Sequence, residues 1–279
     1  MRASLSTYPA NGHQLLRMDA IEPQFLEVGA DTRRRRIAYR WTEGDRPALL
    51  WLPGFLSDMV STKAIAVSEC AAAQGLAVMR FDYSGHGLSG GDLLHASIGD
   101  WLEETIAMWE LMGSGPRIAI GSSMGGWIAL LLARHLARQG QSRELSGLML
   151  IAPAFDMTEV LMWRALPQKA KDEIERNGVT YVPSAYAESY PITKQLIDEG
   201  RNHLLEGHPF DPGCPVRILQ GMRDPDVPWR HVLALVDLLA GTNVELTLIK
   251  EAEHRQSEPA DLQRLTDTIA ALASRRESS

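Results

Sequence analysis

Residues 116–127 read P-R-I-A-I-G-S-S-M-G-G-W, and the fold turns on how this run of glycines and serines is interpreted. Residues 116–121 are a short apolar run of the kind a fully buried strand shows, and residues 124–139 are apolar on most faces of a helix. The glycines and serines therefore occupy a strand-to-helix corner. Only Ser123 has a glycine two residues before it, Gly121, and another two residues after it, Gly125. A nucleophile raised on such a corner has a strained backbone, and side chains at the two flanking positions would collide as strand and helix close on each other. Ser122 then fills the variable position, and Gly126 allows the helix to pack closely on the sheet.

The same alternation of short apolar runs and longer amphipathic segments extends in both directions. Strands are predicted over 23–28, 36–42, 47–53, 76–82, 116–121, 146–152, 216–221 and 244–250, and helices over 62–74, 98–112, 124–139, 229–240 and 258–275. The last helix opens with E-P-A-D-L, and proline is well placed in a first turn. The expected architecture is α/β: a mostly parallel eight-stranded sheet flanked by helices. Between 157 and 211 the rhythm changes. Short helical pieces (158–165, 168–176, 192–205) surround a Pro/Tyr-rich bend, V-T-Y-V-P-S-A-Y. This stretch is too long for a plain loop and reads as a helical lid inserted into one domain, whose core comprises 1–156 and 212–279.

Composition excludes several function classes. The chain has 279 residues, 45% of them hydrophobic and 23% charged, with 28 basic against 35 acidic residues and a net charge of -7. These are globular values, and the acidic balance argues against nucleic acid as a partner. The run Arg33–Arg36 is the local exception and is expected to be the solvated turn into the second strand. Two cysteines far apart, Cys70 and Cys214, suggest neither a zinc site nor a disulfide framework. The opening residues lack the apolar core of a signal peptide, and no apolar run reaches the ~18 residues of a membrane span, so a cytoplasmic protein without integral membrane association is expected. No metal cluster, phosphate loop or flavin fingerprint appears, so no cofactor is expected.

A serine hydroxyl at neutral pH needs a base within hydrogen-bond reach, itself oriented by an acid. His254 alone of the eight histidines lies in the loop just past the final strand and before the final helix. His231 begins a helix, and His86, in D-Y-S-G-H-G-L-S-G-G, precedes the nucleophile and is expected to shape a turn. The acid should emerge directly from a strand end. Asp224, three residues past Gly221, meets this, with Asp226 as competitor and Glu253 as a weaker third choice. One oxyanion donor is expected from the N–H of Met124 at the helix N-terminus and a second from Phe55 in W-L-P-G-F, where the chain turns after the third strand. The lid segment offers Met162, Trp163, Tyr181 and Tyr186 as walls of an acyl pocket, with further apolar surface from Met157, Val160, Leu161 and Tyr190.

The order Ser123, Asp224, His254, each following its own strand, resembles the α/β-hydrolase-fold serine hydrolases. Within them the set L-P-G-F-L-S-D-M, T-K-A, R-F-D-Y-S-G-H-G-L-S-G-G, G-S-S-M-G-G-W, Q-G-M-R-D-P-D-V-P-W and E-H-R is similar to the mitochondrial palmitoyl-protein thioesterases that also de-esterify acyl glucuronides, and to their bacterial relatives. The resemblance implies hydrolysis of an acyl ester, thioester or acyl glucuronide, the acyl group carried by a small molecule or a protein. Pro53-Gly54 stands where many members have His-Gly. Alternatives from the residues alone are a carbon–carbon bond hydrolase or perhydrolase using the same triad, or a non-catalytic ligand-binding protein. A carboxylate would be needed in place of Ser123 for a dehalogenase or epoxide hydrolase.

Overall fold

The structure is a computed structural model and describes residues 21–183 and 189–274. Eight strands form the sheet: β1 (Gln24–Val28), β2 (Arg35–Thr42), β3 (Asp45–Leu52), β4 (Leu76–Phe81), β5 (Arg117–Ser122), β6 (Leu145–Ile151), β9 (Val216–Gly221) and β10 (Val244–Ile249). Their spatial order is β1-β2-β4-β3-β5-β6-β9-β10. From β4 through β10 all neighbours are parallel, whereas β1 pairs antiparallel with β2, and β2 with β4. All eight fall within two residues of their predicted ends.

The central strands are rich in apolar residues and almost wholly buried because both faces are covered. Side chains alternate across a strand, so Ala48, Leu50 and Leu52 of β3 join one core while Leu49 and Trp51 join the other. The first core is closed by α2 (Ile98–Leu111), α3 (Met124–Arg138) and α6 (Trp229–Leu238), and the second by α1 (Thr62–Gln74) and α7 (Pro259–Ala273). Removal of each such Leu or Ile from water contributes about 1.5–3 kcal/mol.

After β3 the chain moves to β4 on one side and then to β5 on the other. The order reverses between β3 and β5, and in parallel sheets the crevice at such a reversal, beyond the strands' carboxyl ends, is where ligands bind. The corner at Ser123 and the turn at Phe55 leave the sheet at that crevice.

Two expectations are met only in part. Arg33, Arg34 and Arg36 are exposed around the turn into β2, as expected of a solvated turn, but the Arg35 side chain is only 11% exposed, lies 2.7 Å from Glu104 and 3.3 Å from Asp100, and also pairs with Glu103, all three on α2. Arg33 reaches Asp100 at 2.5 Å, and Arg36 covers the Phe25 ring at 3.5 Å. The run clamps the antiparallel edge to α2. The insert between β6 and β9 has helical turns at all three predicted places, with 3-10 turns at Trp163–Ala165 and Arg201–His203, but also a hairpin that was not expected. It holds a π-helical turn (Met157–Met162), α4 (Gln168–Asn177), a hairpin of β7 (Val179–Val182) and β8 (Tyr190–Thr193), and α5 (Lys194–Gly200). β7 occupies the first half of the expected bend, and β8 takes the first two residues of the expected third helix. The insert's two ends are tied together by the buried Asp156 carboxylate, which accepts the N–H groups of Leu205 and Glu206 at 2.7 and 2.8 Å.

Candidate active site

At the corner, Ser123 has φ 54° and ψ -118°, a left-handed conformation that a non-glycine residue holds only when its surroundings impose it. The neighbouring glycines show what imposes it. A Cβ on Gly121 would lie 2.3 Å from the Gly125 carbonyl oxygen, and one on Gly125 would lie 2.1 Å from that of Leu52. The Ser123 N–H donates to Ile151 at 2.8 Å, and its carbonyl accepts from Gly126 and Ala154 at 2.9 and 3.0 Å. Ser122 is buried, whereas Ser123 is partly exposed.

The loops after β5, β9 and β10 bring Ser123, Asp224 and His254 together across 131 and 30 residues of sequence. His254 Nε2 lies 3.1 Å from Ser123 Oγ, and Nδ1 lies 2.8 Å from Asp224 Oδ2. With Nδ1–H donating to the carboxylate, Nε2 is left to accept the serine proton. Asp224, with no side-chain exposure, also accepts the N–H groups of Asp226 (2.9 Å) and Val227 (2.8 Å) through Oδ1. These bonds fix the carboxylate's aim and distinguish it from Asp226, which is exposed although one of its carboxylate oxygens remains within 4.8 Å of an Asp224 oxygen and a His254 ring nitrogen.

Phe55 turns immediately after β3, and among the described residues its N–H has no acceptor; Met124 opens α3, where an N–H has no intrahelical partner. The turn is braced by Asp82, which accepts the Met59 N–H at 2.6 Å and the Leu88 N–H at 2.8 Å, and by Arg80, which donates to the Met59 carbonyl at 2.8 Å. Desolvation raises the Asp82 carboxyl above its usual range, against those backbone bonds. His86 is buried against Phe55, Tyr83 and Trp101, with Nδ1 bonded to the Ser84 carbonyl at 3.0 Å and, among the described residues, no partner for Nε2. His231 stacks on Phe155 at 4.0 Å and bonds its carbonyl at 2.9 Å, so it is engaged away from Ser123.

The predicted pocket residues separate. Met162 is buried in the larger core, and the Trp163 ring is met by the cations of Arg201 (5.2 Å from its centroid) and Lys171 (5.6 Å). Tyr181 is 59% exposed on the outer face of the hairpin, which corrects its placement as a wall; Tyr186 lies outside the described residues. The hairpin's inward pairs are Thr180–Ile192 and Val182–Tyr190, and the Tyr190 ring meets Phe55 edge-on at 5.6 Å. Its partnership with Phe55 could not be read from a four-residue strand that alternates around a proline.

A family model described as serine aminopeptidase, S33, matches residues 46–198. The mitochondrial palmitoyl-protein thioesterase ABHD10 of Homo sapiens is 37% identical over 238 residues, covering 85% of this chain and 76% of that protein. The chain belongs to the α/β-hydrolase family. Among solved structures, this α/β-hydrolase is similar to a protein from Agrobacterium vitis S4 described as a hydrolase (40% identity, TM-score 0.88, 91% and 99% coverage). It is also similar to α/β-hydrolase domain-containing protein 10 from mouse (33% identity, TM-score 0.78, 90% and 98% coverage). Relatives named as mitochondrial do not support the cytoplasmic location expected from the sequence. Among the described residues, no helix is long and apolar enough to cross a membrane.

Proposed function

We propose that this α/β-hydrolase cleaves acyl ester or thioester bonds through a covalent acyl-enzyme, with Ser123 as nucleophile, His254 as general base and Asp224 as its orienting acid. The observation that carries this reading is the unbroken hydrogen-bond chain of 3.1 and 2.8 Å from Ser123 through His254 to a buried carboxylate. His254 Nε2 takes the Ser123 proton as Oγ attacks the acyl carbon, and the N–H groups of Phe55 and Met124 receive the oxyanion. Collapse of that intermediate breaks the bond to the alcohol or thiol, which leaves with the proton held by His254. Water then enters by the same route in reverse and releases the acid.

The thioester side of this reading is supported by relatives named as palmitoyl-protein thioesterases, and it makes a small-molecule acyl ester or thioester, or an acylated protein, the partner. Tyr190, with Met162 and Trp163 deeper in the insert, is proposed to line the acyl-binding surface, and the insert of residues 157–211 to act as its lid. A parallel screen of p-nitrophenyl esters and acyl-CoA or S-acyl peptide thioesters, from acetyl to palmitoyl, tests the proposal with a Ser123→Ala control. Turnover of medium and long acyl chains that disappears in the control supports it; equal rates for both proteins on every substrate contradict it.

A further inference from the structure

The motif Thr62-Lys63-Ala64 has no part in the reaction described above, yet Lys63 makes a long-range contact at the site's edge. From the first turn of α1 its ammonium donates to the backbone carbonyl of Arg255, the residue that follows His254, across 192 residues of sequence. The helix it stands on begins where the loop carrying Phe55 ends. One side chain thus ties the turn that offers an oxyanion donor to the loop that carries the base.

That loop needs holding from outside. Residues 250–257 contain no helix or strand. Before His254 it is pinned by the Ala252 carbonyl, which accepts the Arg223 N–H at 3.0 Å. After His254, Gln256 has φ 42°, and its side-chain amide reaches the Leu219 carbonyl at only 3.4 Å. Lys63 supplies the charged bond on this second, weaker side. The two bonds of the imidazole fix its rotation, but the position of its Cα depends on the backbone on both sides. An error of about 1 Å in a reacting group can cost about 100-fold in rate.

We propose that Lys63 is a positioning residue for His254: its bond to the Arg255 carbonyl holds the base's loop in register with Ser123. The inference rests on the reading of His254 as the base. Burial pushes the Lys63 ammonium down to about 8, with the Arg255 guanidinium lowering it further and Asp261 on α7 opposing. It therefore remains largely cationic at neutral pH, where a charged donor makes a stronger bond than a neutral one.

The test compares wild type with Lys63→Met, which keeps the apolar stem, and Lys63→Arg, which keeps a charged donor. Readouts are kcat and KM on a short-chain p-nitrophenyl ester, with active sites counted by fluorophosphonate and folding followed by thermal melting. The expected result is a kcat per active site about 10-fold lower in Lys63→Met, equivalent to about 1.4 kcal/mol of barrier. KM should stay within about twofold and the melting temperature within a few degrees, with most of the loss recovered in Lys63→Arg. A Lys63→Met kcat within twofold of wild type, equal losses in both variants, or a change in KM matching that in kcat overturns the inference. A wild type inert to both fluorophosphonate and ester overturns the reading of the site as well, whereas an active wild type with an unaffected Lys63→Met protein removes this inference alone.

Discussion

At the residue scale, geometry distinguishes two acids that sequence spacing left close together. Asp224 is buried, accepts two backbone N–H groups and faces His254, whereas Asp226 is exposed and contributes one of those N–H groups. Asp224→Asn, which loses the charge that steadies the imidazolium and turns an N–H toward His254, should lower kcat by about 10³–10⁴. Asp226→Asn should remain within about threefold of wild type. Steady-state kinetics on one ester at pH 7.5 decides between them, and reversed ranks would reassign the acid. Ser123 was legible because its requirements are local: a Cβ on Gly121 or Gly125 would lie 2.3 or 2.1 Å from a backbone carbonyl oxygen, and the two glycines this demands leave a mark in the string. Lys63 was not legible. Its partner is a main-chain carbonyl, which has no residue type, and T-K-A reads as an ordinary first helical turn.

At the element scale, the eight sheet strands could be placed because each is a short run rich in apolar residues closed by turn residues, the central ones buried on both faces and β1 and β10 partly exposed at the edges. The β7–β8 hairpin escaped because a four-residue strand gives two alternations at most, and Pro183 and Pro191 interrupt the signal. Its consequence concerns substrate choice. Tyr190 meets Phe55, while Tyr181, on the opposite face, meets solvent. Tyr190→Ala is therefore expected to lower kcat/KM for octanoyl esters about 10-fold relative to acetyl esters, roughly the contribution of one large apolar contact. Tyr181→Ala should change that ratio less than twofold. A chain-length series on both variants measures it, and an equal effect of the two would remove Tyr190 from the acyl-binding surface.

At the scale of the whole molecule, the site is built on buried polar groups whose ionisation is linked to folding. Burial holds the His86 imidazole below its ordinary value of 6.5, against the bond to the Ser84 carbonyl. The unfolded chain binds this proton near 6.5 and the folded protein does not, so the contribution to stability is complete above that pH and declines as pH falls below it. The slope approaches about 1.4 kcal/mol per pH unit until the folded-state value is reached. His86→Phe keeps an aromatic ring against Phe55 and Trp101 but has no proton to bind. Urea unfolding at pH 7.5 and 5.5 should show wild type losing more stability on acidification than the variant, and parallel losses would contradict the assignment.

The same scale explains what composition could and could not say. A net charge of -7 argues from composition against a polyanion partner, but it is a sum and hid the arrangement of Arg33 and Arg35 against the acids of α2. That clamp depends on β1, β2 and α2 meeting in three dimensions, a relation no local pattern records.

The central claim, that Ser123 is activated by His254, is tested most directly by the intact mass of the protein after brief exposure to a fluorophosphonate at pH 7.5. The account predicts one adduct, located on the peptide containing Ser123 and absent from Ser123→Ala, with labelling slowed by at least about 100-fold in His254→Ala. Absence of any adduct on folded wild-type protein, or an adduct that persists in Ser123→Ala, would contradict it.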